Sequence, residues 1–318
     1  MKKNILSGIF FMTTLVACIG FSINVHAAEV EDPSQEVMPL SLTTEEINHL
    51  KSLGFQEHEI ENMTQEEYDL NKNLKGEVVS EDEKFVKVVK VPSKNQPFTA
   101  LDSNDDEEYI SIELDEATYN KEVAELKNKE KINTYGYIPD GSSTSYKRMV
   151  TTIVKLSTNE FRVKNAVNWS TMPFWRYIDI SAVGINSAHY YPQVNSQYGA
   201  QSWVTKNAFG TQKSHSATYT SNSDKWNKKE GGYGLRMNLP NNDQEYSANV
   251  TTLSSYMYYT AYKENKATKH IDAFGHYAHQ ETSASLVPSY SLSGSSFTIN
   301  VTAKFTIHEP GTHAVYSW

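Results

Sequence analysis

The stretch from Ser296 to His308 reads SFTINVTAKFTIH. In it Phe297, Ile299, Val301, Ala303, Phe305 and Ile307 alternate without a break against Thr298, Asn300, Thr302, Lys304 and Thr306. A two-residue period puts every apolar side chain on one face of a β-strand and every polar one on the other. Such a strand is half-buried and unstable alone, so it demands a partner sheet with a matching apolar face. The expectation is that these six side chains close a dry interior between two β-layers.

Segments of the same kind recur upstream. Met149 to Leu156 is apolar on both faces, as in a central strand. Ser157-Thr158-Asn159 then makes a short hairpin connection to a strand in which Phe161, Val163, Val167 and Trp169 alternate with Glu160, Arg162, Lys164 and Asn168. Tyr177 to Ile185, Tyr233 to Leu239 and Ile271 to Gln280 are further strands. Tyr246 to Tyr262 is long and loses phase near Ser254-Ser255, which predicts a bulge there. Short strands at this spacing, joined by Ser, Gly and Asn turns, predict a mainly β chain. Its carboxyl-terminal domain, residues 135–318, is expected to be a jelly-roll-like antiparallel β-sandwich, with a barrel as the alternative.

Charge divides the chain near residue 134. Residues 29–133 hold 27 acidic and 11 basic side chains, whereas residues 134–318 hold 11 acidic and 16 basic ones. All five Trp and 17 of the 20 Tyr lie in the second part. Residues 28–134 therefore read as an acidic amino-terminal segment with short helices over 41–75 and a linker. Thr43 or Thr44 caps the first helix, Gly54 ends it, and Thr64 caps another with Glu67 closing a capping box. Val-rich Glu77 to Val91 suggests a strand or hairpin, Tyr109 to Leu114 another strand, and Asp115 caps a helix running to Lys131. Two arrangements fit the charge asymmetry: a solvated acidic leader, or an acidic segment that docks on the basic, aromatic domain and masks it.

Residues 1–27 read as a secretory signal peptide. Lys2 and Lys3 precede an apolar run, and Val25-His26-Ala27-Ala28 offers small residues for cleavage between Ala27 and Ala28. Leu15-Val16-Ala17-Cys18 provides the alternative, a lipoprotein box in which Cys18 carries the lipid and anchors the protein at the cell surface. Cys18 is the single cysteine, so cleavage after Ala27 leaves no disulfide and no thiolate chemistry. The expected location is extracellular, and a cysteine-free exported domain suits a Gram-positive exoprotein.

No catalytic constellation is read. His270, Asp272, His276 and His279 are the densest metal-capable group, but His270 and His276 lie about 20 Å apart along a strand and His279 faces the other way. His308-Glu309-Pro310-Gly311-Thr312-His313 lacks the one-turn helical spacing of a zinc protease and holds Pro-Gly between its histidines. No cofactor and no metal are expected. A carboxylate pair for polysaccharide hydrolysis would have to come from Glu160, Asp179, Asp224, Glu230, Asp243, Glu245 and Glu281, and nothing selects two of them.

Aromatic side chains between strands are the better candidates. Trp175, Tyr190, Tyr191 and Trp226 stand in turn or polar sequence, where flat rings serve to bind sugars, peptides or head groups. Trp169 and Phe174 are expected to seal the end of the core. Ser214 to Ser223 and Tyr246 to Thr260 are Ser/Thr/Tyr-rich in the manner of pore-toxin hairpins, which keeps membrane insertion as a third function. The small, diffuse basic excess argues against nucleic acid.

The segment LTTEEINHLKSLGFQEHEIENMTQEEYDLNKNLKGE, behind this leader, resembles the opening of uncharacterised secreted proteins of Bacillus-like bacteria. SYKRMVTTIVKLSTNEFRVKNAVNWSTMPFWRYIDISAVGI is similar to β segments of such proteins. The resemblance implies an exported Gram-positive protein and assigns no activity or site residue. The functional expectation is an exported β-rich binding or surface-interaction protein whose partner is a cell-wall polymer or carbohydrate. A wall or polysaccharide hydrolase is the alternative, followed by a β-pore protein, and a membrane partner is expected only with lipidation at Cys18 or pore formation.

Overall fold

The computed structural model describes residues 35–36, 38–92, 107–132, 144–173, 175–242, 248–281, 289–300, 305–308 and 311–318. The leader, Cys18, Ala27, Ala28 and Phe174 lie outside the described residues. In chain order the elements are β1 (Gln35–Glu36), α1 (Thr44–Ser52), α2 (Glu57–Glu61), α3 (Gln65–Asn71), β2 (Glu77–Pro92), β3 (Glu107–Leu114), α4 (Glu116–Ile132), β4 (Thr144–Lys155), β5 (Glu160–Trp169) and β6 (Ile178–Ile185). They continue as β7 (Tyr190–Pro192), β8 (Tyr198–Asn207), β9 (Gln212–Tyr219), β10 (Trp226–Lys229), β11 (Gly232–Asn238), β12 (Ala248–Lys263), β13 (His270–Gln280), β14 (Ser289–Ser293), β15 (Ser296–Asn300), β16 (Phe305–Ile307) and β17 (Thr312–Ser317). Among them no helix is long and apolar enough to cross a membrane.

The strands build an antiparallel β-sandwich. A nine-stranded first sheet runs β1-β9-β8-β12-β5-β4-β2-β3, with β7 also on β12. The six-stranded second sheet runs β10-β11-β6-β13-β16, with β17 also on β13. Between the sheets, Met149, Ile153, Phe161, Val163 and Val167 of the first meet Val183, Ile185, Leu235, Met237, Ile271 and Tyr277 of the second. The fold thus draws on both sides of residue 134: β2 pairs with β4 over Glu77–Val89 and β3 pairs with β2. The compositional boundary marks a change of surface charge, and the sandwich crosses it.

The alternating stretch near the end of the chain corrects one expectation. Its described residues form two short strands, β15 in a hairpin with β14 and β16 on β13. Phe297 is buried and Ile299, Phe305 and Ile307 are partly buried, but they pack with Ile178, Ile180, Ala182, Ala278, Tyr290 and Leu292. Of those partners, Ile178, Ile180, Ala182 and Ala278 lie on the face of the second sheet turned away from the sandwich interior, and Tyr290 and Leu292 belong to β14 itself. The period was a true sign of a half-buried face, and the buried side belongs to a small third layer.

The expected bulge in β12 also moves. Ser254 and Ser255 pair regularly with both β5 and β8, and the register shifts instead between Val250 and Thr252. The alternation fades at 254–258 because both faces of the strand are covered: Met257 and Tyr259 face the interior, Tyr256 and Tyr258 the helices outside. Two-sided burial likewise explains β4, whose positions are buried almost throughout.

A polar peg crosses the interior. Asn165 Nδ2 donates to Ser181 Oγ (3.0 Å) and to the His276 carbonyl (3.0 Å), and Thr151 Oγ1 bonds Thr312 Oγ1 (2.6 Å). Gly275 lets the sheets close on it, since a Cβ there would stand 1.9 Å from Thr151 Oγ1 and 2.3 Å from Thr312 Oγ1. Gly275→Ala is therefore expected to destabilise by about 1–3 kcal/mol through overpacking, measured as a lowered midpoint of urea unfolding.

Candidate functional site

The two-residue period that sends Phe161 and Val163 inward sends Glu160, Arg162, Lys164 and Asn168 outward, onto the outer face of the first sheet. On β12 the same rule presents Tyr256, Tyr258, Thr260 and Tyr262. The register sets them side by side, with Lys164 opposite Tyr258, Arg162 opposite Thr260 and Glu160 opposite Tyr262. Tyr198 of β8 lies opposite Tyr258 on the far side. Stacking runs through this row: Tyr198 and Tyr258 are 5.9 Å apart at 24°, Tyr256 and Tyr258 6.5 Å at 5°. The Arg162 guanidinium sits 4.3 Å over the Tyr258 ring, and Lys164 Nζ 5.2 Å over Tyr256.

Helices α1 to α3 cover most of this face. Each begins as its sequence dictates: Thr43 and Glu46 form a capping box on α1, and Gly54 at φ 82° turns the chain out of it. Thr64 caps α3 through the Glu67 N–H (3.2 Å), but the Glu67 carboxyl does not complete the predicted box. It instead accepts from Tyr256 Oη at 2.5 Å. Leu50, Leu53, Phe55, Ile60 and Met63 pack on Val154, Ala166, Ala200, Tyr198, Tyr256 and Tyr258. Phe55 sets its edge against Tyr256 and Tyr258, with centroids 6.1 and 5.7 Å away.

Polar contacts follow the cations. Lys164 pairs with Glu59 and donates to the Gly54 carbonyl at 2.8 Å. Arg162 Nη2 donates to Asn71 Oδ1 at 2.7 Å, and Asn71 Nδ2 donates to Tyr258 Oη at 3.2 Å. The fit is incomplete, because Arg162 Nε and Nη1, Glu59 Oε1 and Glu67 Oε1 are buried without a hydrogen-bond partner. Burial, the largest cause, pushes the Glu67 carboxyl up to about 8. Largely neutral at pH 7, it does not serve Arg162 as a full counter-ion. Each orphaned buried group costs on the order of 1–3 kcal/mol, so this interface is held by its apolar share and opposed by part of its polar share. Of the acidic segment, the helices pack on the outer face of the first sheet, whereas β2 and β3 are strands of that sheet.

Beyond the helices the same row emerges into solvent. Tyr191 is 42% exposed and its ring lies 5.4 Å from that of Tyr262 at 39°. Gln193 Nε2 donates to Glu160 Oε1 at 3.0 Å beside them. Two other loop aromatics are placed differently from expectation. Tyr190 is fully buried against Phe161 and donates to the His270 carbonyl at 2.9 Å, because alternation along β7 turns it inward as Tyr191 turns out. Trp226 joins the core and donates Nε1–H to the Thr220 carbonyl at 2.9 Å, so neither ring offers a free face. Trp175 is half-buried and stacked 5.8 Å from Tyr177, on the segment after Trp169 and thus toward the opposite end of the sandwich from Tyr191. The described part of Tyr246–Thr260 lies between β5 and β8, both of which it pairs with.

The sequence candidates for acid–base chemistry gather elsewhere. Asp179, His279 and Glu281 meet inside the sandwich, with His279 Nδ1 2.7 Å from Asp179 Oδ1 and Nε2 3.8 Å from Glu281 Oε2. Lys147 lies beside them, in contact with His308 Nε2 and 4.1 Å over the Trp169 ring. Burial lowers Lys147 to about 7 and holds His308 well below its ordinary value, so the imidazole is neutral. His308 Nδ1 is 2.6 Å from Ser111 Oγ. Asp179 and Lys147 are wholly buried and His279 is 2% exposed, so bulk solvent and substrates do not reach the group. His308 and His313 share nothing: His313 lies against Asp272 (2.9 Å) and the Phe274 ring (4.3 Å). Among the described residues no group of three or more His, Cys, Asp or Glu is placed to hold a metal ion.

Sequence does not single out Arg162, Lys164, Tyr256 and Tyr258 as a unit, because in it they are the polar face of one strand and the weakly apolar part of another. The available signal was the neighbouring β4: a strand apolar on both faces requires a cover on the outer side.

No family model and no curated protein matches the chain. Solved structures similar to it include the C-terminal domain of the Streptococcus agalactiae AgI/II polypeptide BspA, at 9% identity over 74% of this chain and 85% of that one, with a TM-score of 0.25. The collagen adhesin of S. aureus is similar at 7% identity over 74% and 84%, with a TM-score of 0.22. The C-terminal domain of the Streptococcus pyogenes antigen I/II-family protein AspA is similar at 9% identity over 71% and 84%, with a TM-score of 0.23. Scores of this size say nothing of lineage or ligand.

Proposed function

We propose that the protein is an exported surface-interaction module that binds carbohydrate or cell-wall polymer at the open end of its first sheet. The observation that carries this reading is the ring pair of exposed Tyr191 and half-buried Tyr262, fixed by paired strands and flanked by the Glu160–Gln193 hydrogen bond. Adjacent ring faces stack on the apolar face of a sugar, and a carboxylate beside an amide meets its hydroxyls. Rigid strands hold both without an ordering cost on binding. Hydrolysis draws no support from Asp179 and Glu281, which are walled in around His279.

Retention of the exported chain on purified wall or insoluble polysaccharide tests the reading. Tyr191→Ala and Tyr262→Ala are each expected to weaken retention about three- to tenfold, from stacking energies of about 0.5–1.5 kcal/mol. Trp226→Ala is expected to lower thermal stability instead, leaving the affinity of the folded fraction unchanged. Full retention by the double tyrosine variant would overturn the assignment.

A further inference from the structure

The row of Tyr262, Tyr258 and Tyr256 on β12, with Glu160, Arg162 and Lys164 on β5, is one continuous face, open at one end and roofed by α1 to α3 over the rest. We propose that these helices are a reversible cover over a preformed binding face for an acidic glycan, and that the covering side chains occupy the positions that the glycan's acid and hydroxyl groups would take. The inference goes beyond the Tyr191–Tyr262 assignment and does not depend on it.

Three observations point the same way. The first is the chemistry of the covered surface. Arg162 and Lys164 stand two residues apart on one strand, beside a stack of three tyrosines whose hydroxyls all point to hydrogen-bond partners from the helices. Cations at strand spacing bind carboxylate or phosphate groups, and parallel tyrosine rings bind sugar faces. Lys and Arg are rarely buried this deeply where helices pack on a sheet.

The second is the nature of the cover. It offers this surface a carboxylate on Lys164 (Glu59), a carboxyl on the Tyr256 hydroxyl (Glu67) and a carboxamide on Arg162 (Asn71). Those are the groups of an acidic sugar polymer, and the match is imperfect, with Arg162 Nε and Nη1 left without acceptors although the residue is 3% exposed. A ligand with a second acid group would satisfy what the cover does not.

The third is the way the cover is attached. Its helices have nine, five and seven residues, too short to persist except against a surface. One end runs through residues 72–76 into β2, and before the other the two-residue β1 pairs with β9 at Ser216 and His215. The unit can therefore leave the face while staying tethered. The apolar contacts of Leu50, Leu53 and Phe55 return it when no ligand is bound.

The test uses the full exported chain with polygalacturonate, phosphorylated dextran and neutral dextran as probes, the first two separating carboxylate from phosphate recognition. Hydrogen exchange over residues 44–71 is expected to rise on adding an acidic polymer and to stay level with neutral dextran. Glu59→Ala, which removes the resident acid and unseats the cover, is expected to tighten acidic-polymer binding by about a hundredfold or more. Arg162→Gln with Lys164→Gln is expected to abolish it. Should those variants fail to fold, a protease site inserted between Asn73 and Lys75 provides a nicked chain in which the same polymer-dependent release is read. The proposal is overturned if no acidic polymer changes exchange in the helices, if the opened chain binds none of them, or if binding survives loss of both cations. Binding of neutral dextran with the same affinity would also overturn it.

Discussion

Replacing Glu59 with alanine is expected to cost about 3–5 kcal/mol of docking free energy for the helical cover, because it strands the Lys164 ammonium in a buried site. Both side chains are only 1% exposed, so water cannot take the place of the lost carboxylate. The remaining acceptor, the Gly54 carbonyl at 2.8 Å, carries no charge. The pair as a whole is not expected to be a net source of stability. Glu59→Leu together with Lys164→Met should come out within about 1 kcal/mol of the native chain or more stable, since desolvation offsets the attraction within a buried pair. Urea unfolding of the two single variants and the double variant, with tyrosine fluorescence as the probe, measures this. Equal losses in the single and double variants would mean that the pair is a true anchor of the cover.

The second large effect is a dependence of docking on pH. Glu67 has a docked carboxyl held up to about 8 and an ordinary value of 4.5, with burial as the main cause. A group raised in the docked state favours docking fully below about 4.5 and loses that contribution as pH climbs to about 8. Integrated over that window the loss has an upper limit of roughly 5 kcal/mol. The groups facing Glu67 are Tyr256, Tyr258, Tyr198, Arg162 and Lys164 from the sheet and Glu59 from α2. Burial drives the three tyrosines up and keeps them neutral across the window, so they add no slope of their own. Glu67→Gln should therefore flatten the pH profile between 5 and 8 and leave the cover more firmly seated at the alkaline end. Hydrogen exchange over 44–71 at several pH values reads both. An unchanged slope in the glutamine variant would place its origin in another group.

What could be read beforehand divides along physical lines. Local rules worked where one residue's chemistry decides the outcome: Thr43 with Glu46, Gly54, Thr64 and Asp115 all mark helix ends where expected. Alternation located the strands, since it depends only on which side is wet. It could not tell which of two buried surfaces Phe297 and Ile299 would meet, nor that Tyr256 and Tyr258 lose their contrast with Met257 by being covered as well. Trp226 stood in polar sequence and still entered the core, because the edge strand β10 turns one side inward whatever its neighbours are. The pairing of Asp179 with His279 was not visible, because 100 residues separate them and only the β6–β13 register joins them.

The hydrogen-bonded peg of Thr151, Asn165, Ser181 and Thr312 has a consequence for how the two layers can sit. Leucines and valines slide past one another at little cost, and an all-apolar interior tolerates several lateral offsets. Moving either layer by one strand repeat would leave hydroxyl and amide groups facing hydrocarbon, at the expense of their partners. The four side chains act as a key between the layers, admitting a single alignment and penalising every neighbouring one.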